Sequence, residues 1–438
     1  MTDPLLEAEG LKKHFDLSSG ALDRVLGDAG AVRAVDGVDI AVEPGKTLAV
    51  VGESGCGKST LGRTLMKLDE PTDGTIRFDG EDVTDLSDRE MRPYRRRLQM
   101  VFQDPLASLN PRQTVGSIVT APMAVHGVGE DSEDRRDRAE ELLERVGLEA
   151  GHMERHPQQF SGGQQQRIAL ARAFSLEPDL LVADEPVSAL DVSVQAQILD
   201  LLAELQDEFG LSLLLISHDL SVVRQIADRV AVMYLGEIVE TAPVDELFSD
   251  PQHPYTQSLL SAVPRIDPEA RTDRVVLKGT VPSPSDPPDG CRFHTRCPAL
   301  IPPDGWQGSQ PAFRRAFTFR SRITNEQIDT DALAAQLEAE GEPTDEHHLT
   351  ERIIDDALPE GPDLPADARE TVEEAARRYA AGNPASAAEA VREAFPSPCV
   401  DETPATTRTT DRTVACHRVT PDRAHDAPSV GGGVTGDD

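Results

Sequence analysis

The chain has 438 residues, 38% of them hydrophobic and 28% charged, a balance that suits a soluble globular protein of two or three domains. Acidic residues outnumber basic ones 78 to 43, giving a formal net charge of −35. That balance excludes the clustered Lys and Arg of a nucleic-acid-binding face and direct docking on anionic lipid. The apolar runs, such as Leu211–Ile216, fall far short of the roughly 20 residues that cross a bilayer. The start, MTDPLLEAEG, lacks the basic flank and apolar run of a secretory signal, so a cytoplasmic location is expected, with membrane association only through a partner. So much like charge strains a compact state in dilute buffer but is screened at about 1 M salt, where the Debye length is roughly 3 Å. The chain thus reads as one from a salt-loving organism.

In chain order, residues 31–51 read as a strand pair with a turn at Glu43-Pro44-Gly45. Its second member, Thr47–Val51, is continuously apolar after the first residue, as in a strand buried on both faces. A glycine loop, GESGCGKST at 52–60, follows, and then a helical stretch, Leu61–Leu68. Pro and Gly turns over 106–160 lead to a charged helix, Asp134–Val146, made amphipathic by Leu142 and Leu143. Leu180–Ala183 and Leu213–Ile216 are two more short buried strands. Such alternation predicts an α/β fold with a parallel sheet covered on both faces, complete by about residue 248. Beyond it, 264–290 is rich in Pro and polar residues. The stretch 320–395 is acidic and poor in aromatics, and predicts solvated helices. HDAPSVGGGVTGDD, at the end, is a flexible tail.

The chemistry starts in the glycine loop. Gly52, Gly55 and Gly57 let the backbone of Gly52-Glu53-Ser54-Gly55-Cys56-Gly57-Lys58-Ser59-Thr60 curl so that its N–H groups surround phosphates. Lys58 is placed to reach the β- and γ-phosphates of ATP, and the Ser59 hydroxyl to ligate Mg²⁺. The apolar strand Leu180–Ala183 ends in Asp184-Glu185. Asp184 suits holding Mg²⁺ through water, and Glu185 suits orienting and deprotonating the attacking water. Between these elements, Ser161-Gly162-Gly163-Gln164 opens the helix Ile168–Phe174 with a good N-cap and two glycines that leave first-turn N–H groups open. One nucleotide cannot easily use both anion-binding ends of one subunit. The inference is a head-to-tail dimer, each ATP lying between one glycine loop and the partner's Ser161 helix.

This combination resembles the ABC ATPases over about residues 5–250. The resemblance implies an ABC-type P-loop NTPase: a RecA-like parallel-sheet core, an antiparallel β subdomain, a helical subdomain inserted at about 106–163, and a C-terminal extension. It implies further roles. Gln103 matches the glutamine that touches Mg²⁺ and water and senses the membrane partner; Ser188-Ala189-Leu190-Asp191 matches the loop that lies across the dimer; His218 matches the γ-phosphate-sensing histidine. Phe15 matches the aromatic that stacks on adenine, though a core position is the alternative.

The runs Gln103–Arg112 and His253–Leu260, the latter followed by Ala262-Val263-Pro264, look like the oligopeptide/dipeptide permease ATPases. Asn110-Pro111-Arg112 is more like the second ATPase of such permeases. That implies a heterodimer with a paralogous ATPase rather than a homodimer, two transmembrane permease subunits, an extracellular binding protein as indirect partner, and work at the cytoplasmic face of the membrane. Nickel or another small solute is the competing cargo. A DNA-repair or chromosome ATPase would need heptads or a basic surface, and a translation or regulatory member usually carries two cassettes; this chain has a single set.

The extension divides into 251–300, an acidic helix-prone insertion at 301–395, and 396–425, ahead of the 426–438 tail. Four cysteines, Cys291, Cys297, Cys399 and Cys416, fit the same group's C-terminal motif, which implies a [4Fe–4S] cluster, with structural Zn²⁺ or free thiols as alternatives. The 101 residues between Cys297 and Cys399 exceed the family spacing and read as an insertion that returns the chain to one spot.

Overall fold

The computed structural model describes residues 3–17, 30–188, 190–262, 277 and 279–420. Residues 1–2, 18–29, 189, 263–276, 278 and 421–438, the expected tail and the Val263-Pro264 match among them, lie outside the described residues. The described chain forms two compact units. The first contains the residues up to 262 together with 282–287 and 408–414; the second contains the rest.

The first unit is built on two sheets. In the smaller, antiparallel sheet, β1 (Leu6–Asp16) lies between β2 (Ala31–Val42) and β4 (Asp73–Phe78), and the short β5 (Glu81–Asp82) closes the edge. In the larger sheet, β3 (Thr47–Val51) lies between β8 (Ser212–Ser217) and β9 (Arg229–Tyr234), parallel to both. Next to β8 come β7 (Leu180–Asp184) and β6 (Leu98–Val101), again parallel, while β10 (Glu237–Pro243) pairs antiparallel with β9. A strand at Thr413–Ala415 adds to β10 through Val414 and Thr413.

Every residue of β3, β7 and β8 is buried, which is why each reads as an unbroken apolar run. The expected strand pair at 31–51 is corrected: its two strands do not pair. The turn at Glu43–Gly45 carries the chain from the antiparallel sheet, where β2 pairs with β1, to the parallel one, where β3 pairs with β8 and β9. Apolar side chains of both sheets, among them Leu6, Val38, Phe78, Val50, Val182 and Ile216, share one core. Three helices, Val115–His126, Ser132–Arg145 and Gly162–Phe174, form the inserted helical part.

The second unit corrects the expectation of solvated helices. Gln310–Thr324, Thr330–Glu340, Glu346–Ala357, Ala366–Ala380 and Pro384–Ala394 surround a core of their own. Phe313, Phe317, Phe319 and Phe395 lie in it, and Trp306 meets Phe313 edge-on at 5.1 Å between ring centres. Few aromatics sufficed because alanine and aliphatic side chains, Ala316, Ile323, Ile353, Val372 and Val391 among them, fill the rest of that core. Arg320 is drawn inside and donates to the Phe395 carbonyl at 2.6 Å. Among the described residues, no helix is long and apolar enough to cross a membrane.

Candidate active site

The site gathers where the parallel strands end. After β3 the chain turns through the glycine loop, and Lys58 opens the helix Lys58–Leu65. Two of the glycines are required by close approach: a Cβ at Gly52 would lie 2.1 Å from the Met233 carbonyl oxygen, and one at Gly57 1.9 Å from that of Ala34. Ser54, Gly55 and Ser59 are exposed, while Thr60 is half-buried. Lys58 is buried, and its Nζ donates to the carbonyls of Gly52 at 3.0 Å and Glu53 at 3.1 Å. Cys56 lies beneath it, with Sγ 3.9 Å from Nζ, and burial pushes its thiol up.

Asp184 ends β7. Its carboxylate accepts from the Ser59 hydroxyl at 3.0 Å. Burial pushes the Asp184 carboxyl up, the Ser59 hydrogen bond opposes this, and the charge of Glu185 adds to the rise. Glu185 has a left-handed backbone (φ 47°), unusual for a residue with a side chain. Its amide donates to the Ile216 carbonyl at 2.9 Å. Both carboxylate oxygens are engaged: Oε2 accepts from Gln103 Nε2 at 2.8 Å, and Oε1 lies 2.9 Å from His218 Nδ1. Gln103 follows β6, Glu185 follows β7 and His218 follows β8, so three neighbouring parallel strands deliver the three groups to one edge. A small cavity beside them is lined by Glu185, Ser188, Gln195 and His218, among others.

Ser161 to Gln164 form a helix end of their own. The Ser161 hydroxyl accepts from the Gln164 amide at 3.4 Å, and the Gln164 side chain accepts from the Ser161 amide at 3.0 Å, a reciprocal capping box. The two glycines differ. A Cβ at Gly163 would meet Val194 Cγ1 at 2.5 Å, whereas at Gly162 the nearest atom, Leu190 Cδ2, is 3.6 Å away. Asp191 caps the helix Val192–Phe209, accepting from the Val194 amide at 3.0 Å and the Ser193 hydroxyl at 2.6 Å. These bonds, the hydroxyl first, hold its carboxyl below the usual range. Phe15 is 40% exposed on β1 with Lys13 Nζ 4.8 Å above its ring, which removes the core alternative.

One contact at the loop has no counterpart in the sequence expectations. The hydroxyl oxygen of Tyr255, 202 residues further on, accepts from the Glu53 amide at 2.9 Å. His253–Leu260 carries a family resemblance, but a partner so distant leaves no mark in spacing.

In the second unit, the Cys291 amide donates to the Cys399 carbonyl at 2.9 Å, and Gly290 packs so close that a Cβ there would lie 2.5 Å from the Val400 carbonyl oxygen. Cys297 is buried. Its thiol is pushed well up, first by burial and then by the charge of Cys291, Cys399 and Cys416. Among the described residues, no group of three or more His, Cys, Asp or Glu is arranged to hold a single metal ion.

Three family models match this chain: ABC transporter at residues 35–188, the C-terminal region of oligopeptide/dipeptide transporters at 239–302, and a domain of unknown function at 310–412. The oligopeptide transport ATP-binding protein AppF of Bacillus subtilis is 53% identical over 303 residues, 68% of this chain and 91% of that protein. The dipeptide transport ATP-binding protein DppF of Escherichia coli is 50% identical over 299 residues, 68% of this chain and 87% of that protein. A solved dimeric ATP-binding cassette bound to ADP and phosphate is 31% identical, covering 55% of this chain and 98% of that one, with a TM-score of 0.49. By sequence, the chain belongs to the ATP-binding proteins of the oligopeptide/dipeptide ABC transporters.

Proposed function

We propose that the chain hydrolyses ATP to power an importer of di- or oligopeptides. The observation that carries this is the Glu185 carboxylate, held between Gln103 and His218 beside the Ser59–Asp184 pair. A carboxylate fixed from both sides is positioned to orient a water and accept its proton, with little rearrangement at the moment of reaction. Lys58 leaves its resting carbonyls for the β- and γ-phosphates, and the amides of 52–60 surround them. Bound Mg²⁺ would be held by Ser59, Asp184 and Gln103, and would neutralise charge on the phosphate oxygens. Replacing Glu185 by Gln keeps the shape but removes the base. ATP binding should persist while turnover falls about 10²–10⁴-fold; near-normal hydrolysis overturns the role.

The Ser161 helix end, with Gly162 open and Gly163 packed inward, serves a partner's nucleotide, and Asp191 lies on the same dimer face. The Asn110-Pro111-Arg112 run favours the second of two paralogous ATPases and hence a heterodimer. The chain works at the cytoplasmic face, held there by two permease subunits, with the cargo delivered by an extracellular binding protein. Co-purification with those subunits and uptake assays with peptide against nickel decide the cargo.

The net charge of −35 favours a salt-rich cytoplasm. Loss of the folded state on dialysis to low salt is expected, and retained stability there refutes it. Cys291, Cys297, Cys399 and Cys416, matched to the C-terminal motif of the same group, favour a [4Fe–4S] cluster held by these four residues. An iron assay with a visible spectrum on anaerobically purified protein tests it; absence of iron and zinc leaves free thiols.

A further inference from the structure

The peptide unit between Gly52 and Glu53 is held at both ends. Its N–H, on Glu53, donates to Tyr255 Oη at 2.9 Å; its C=O, on Gly52, accepts from Lys58 Nζ at 3.0 Å. A trans peptide is planar, with N–H and C=O pointing opposite ways. The two bonds therefore grip one rigid plate from both sides. A glycine opposes rotation of that plate less than any other residue, so external bonds must set its tilt.

Tyr255 is equipped to do so. It is fully buried, and its ring lies 4.7 Å from that of Tyr234 at 61°. Its own amide donates to His253 Nδ1 at 3.1 Å, capping the helix Pro254–Ser261. The His253 and Gln252 amides both donate, at 2.9 Å, to the carboxylate of Glu240, a fully buried residue of β10. Each link is a main-chain or ring constraint with little freedom, so the phenol oxygen is delivered to the loop by a rigid support.

We infer that Tyr255 is a positioning residue for ATP binding: it fixes the Gly52–Glu53 peptide, and through the Gly52 carbonyl the resting place of Lys58. This rests on reading 52–60 as the ATP phosphate loop. Fully buried, Tyr255 acts through the loop. Because it shapes the loop alike before and at the transition state, its loss raises KM and leaves kcat nearly unchanged.

The test compares MgATP affinity and steady-state hydrolysis in the full-length wild type, Tyr255→Phe and Lys58→Ala, with thermal melting of each. Tyr255→Phe keeps the ring and deletes one neutral hydrogen bond, so affinity should weaken about three- to tenfold, with KM rising in step and melting little changed. Wild-type affinity in Tyr255→Phe, with Lys58→Ala unable to bind, overturns the positioning role alone. Wild-type affinity in Lys58→Ala overturns the phosphate-loop reading and this inference with it. A fall in kcat at constant KM assigns Tyr255 to the chemical step and also overturns it. Should Tyr255→Phe fail to fold, residue-resolved hydrogen exchange on the nucleotide-free wild type decides. The Glu53 amide should exchange more slowly than those of Ser54 and Gly55, and equal rates refute the bond.

Discussion

The two units fill their interiors differently. The sheet unit buries mainly short aliphatic strands, Val50, Val182, Leu214 and Ile216 among them, whereas the helical unit sets rings, Phe313, Phe317, Phe319 and Phe395, among its alanines and aliphatic side chains. Parallel strands all end on one edge, so the groups that follow them meet there, as Gln103, Glu185 and His218 do. In the helical unit, two inward-turned arginines serve nearby backbone instead. Arg314 donates to the His294 carbonyl and Arg320 to that of Phe395, each satisfying the backbone beside it. The candidate site thus belongs to the strand ends of the first unit.

The largest expected effect tests that separation. Phe319 is fully buried, and Phe319→Ala should cost about 3–5 kcal/mol through lost burial and a cavity. ATP turnover per folded molecule should stay at the wild-type value; a fall in turnover at full folding breaks the division. Within the sheet unit, Gly163→Ala would force a methyl to 2.5 Å from Val194 Cγ1 and should cost about 1–3 kcal/mol in chemical unfolding. Gly162→Ala, with its nearest atom at 3.6 Å, should unfold like wild type, and equal costs at both positions refute the steric distinction.

The smallest effect concerns pH. Burial lowers His253 from the ordinary 6.5 to about 3. Between those values the unfolded chain binds the proton and the folded chain does not, so stability rises with pH across the window. The contribution is present above about 6.5 and lost as pH falls toward about 3. His253→Asn, which retains a capping acceptor, should show a shallower drop in melting temperature between about pH 7 and pH 4.5; parallel drops would show that His253 does not titrate this way.

Much of the sheet unit was legible because its chemistry needs uncommon residues at fixed spacing. GESGCGKST, Asp184-Glu185 and Ser161-Gly162-Gly163-Gln164 each sit within a few residues of a strand or helix end. Sequence also placed β3, β7 and β8, since strands buried on both faces are continuously apolar. It misjudged what crosses from sheet to sheet: Glu43-Pro44-Gly45 reads as a hairpin turn, yet β2 and β3 pair elsewhere. The packed helical unit was hidden because its surface charge dominates its composition while its core is made largely of alanines and scattered aliphatic residues with a few rings. Tyr255 was invisible as a partner of Glu53, because a single hydrogen bond across 202 residues imposes no pattern.

The backbone at Glu185 has a bearing on how such a site evolves. Its φ of 47° is one that glycine adopts without the penalty, about 1 kcal/mol or more, that other residues incur. Selection for thermal robustness alone would favour glycine there, while, on the role proposed for Glu185, selection for turnover retains the carboxylate. Activity and fold stability thus pull in opposite directions at one codon, and a lineage released from transport would be expected to drift first at that position.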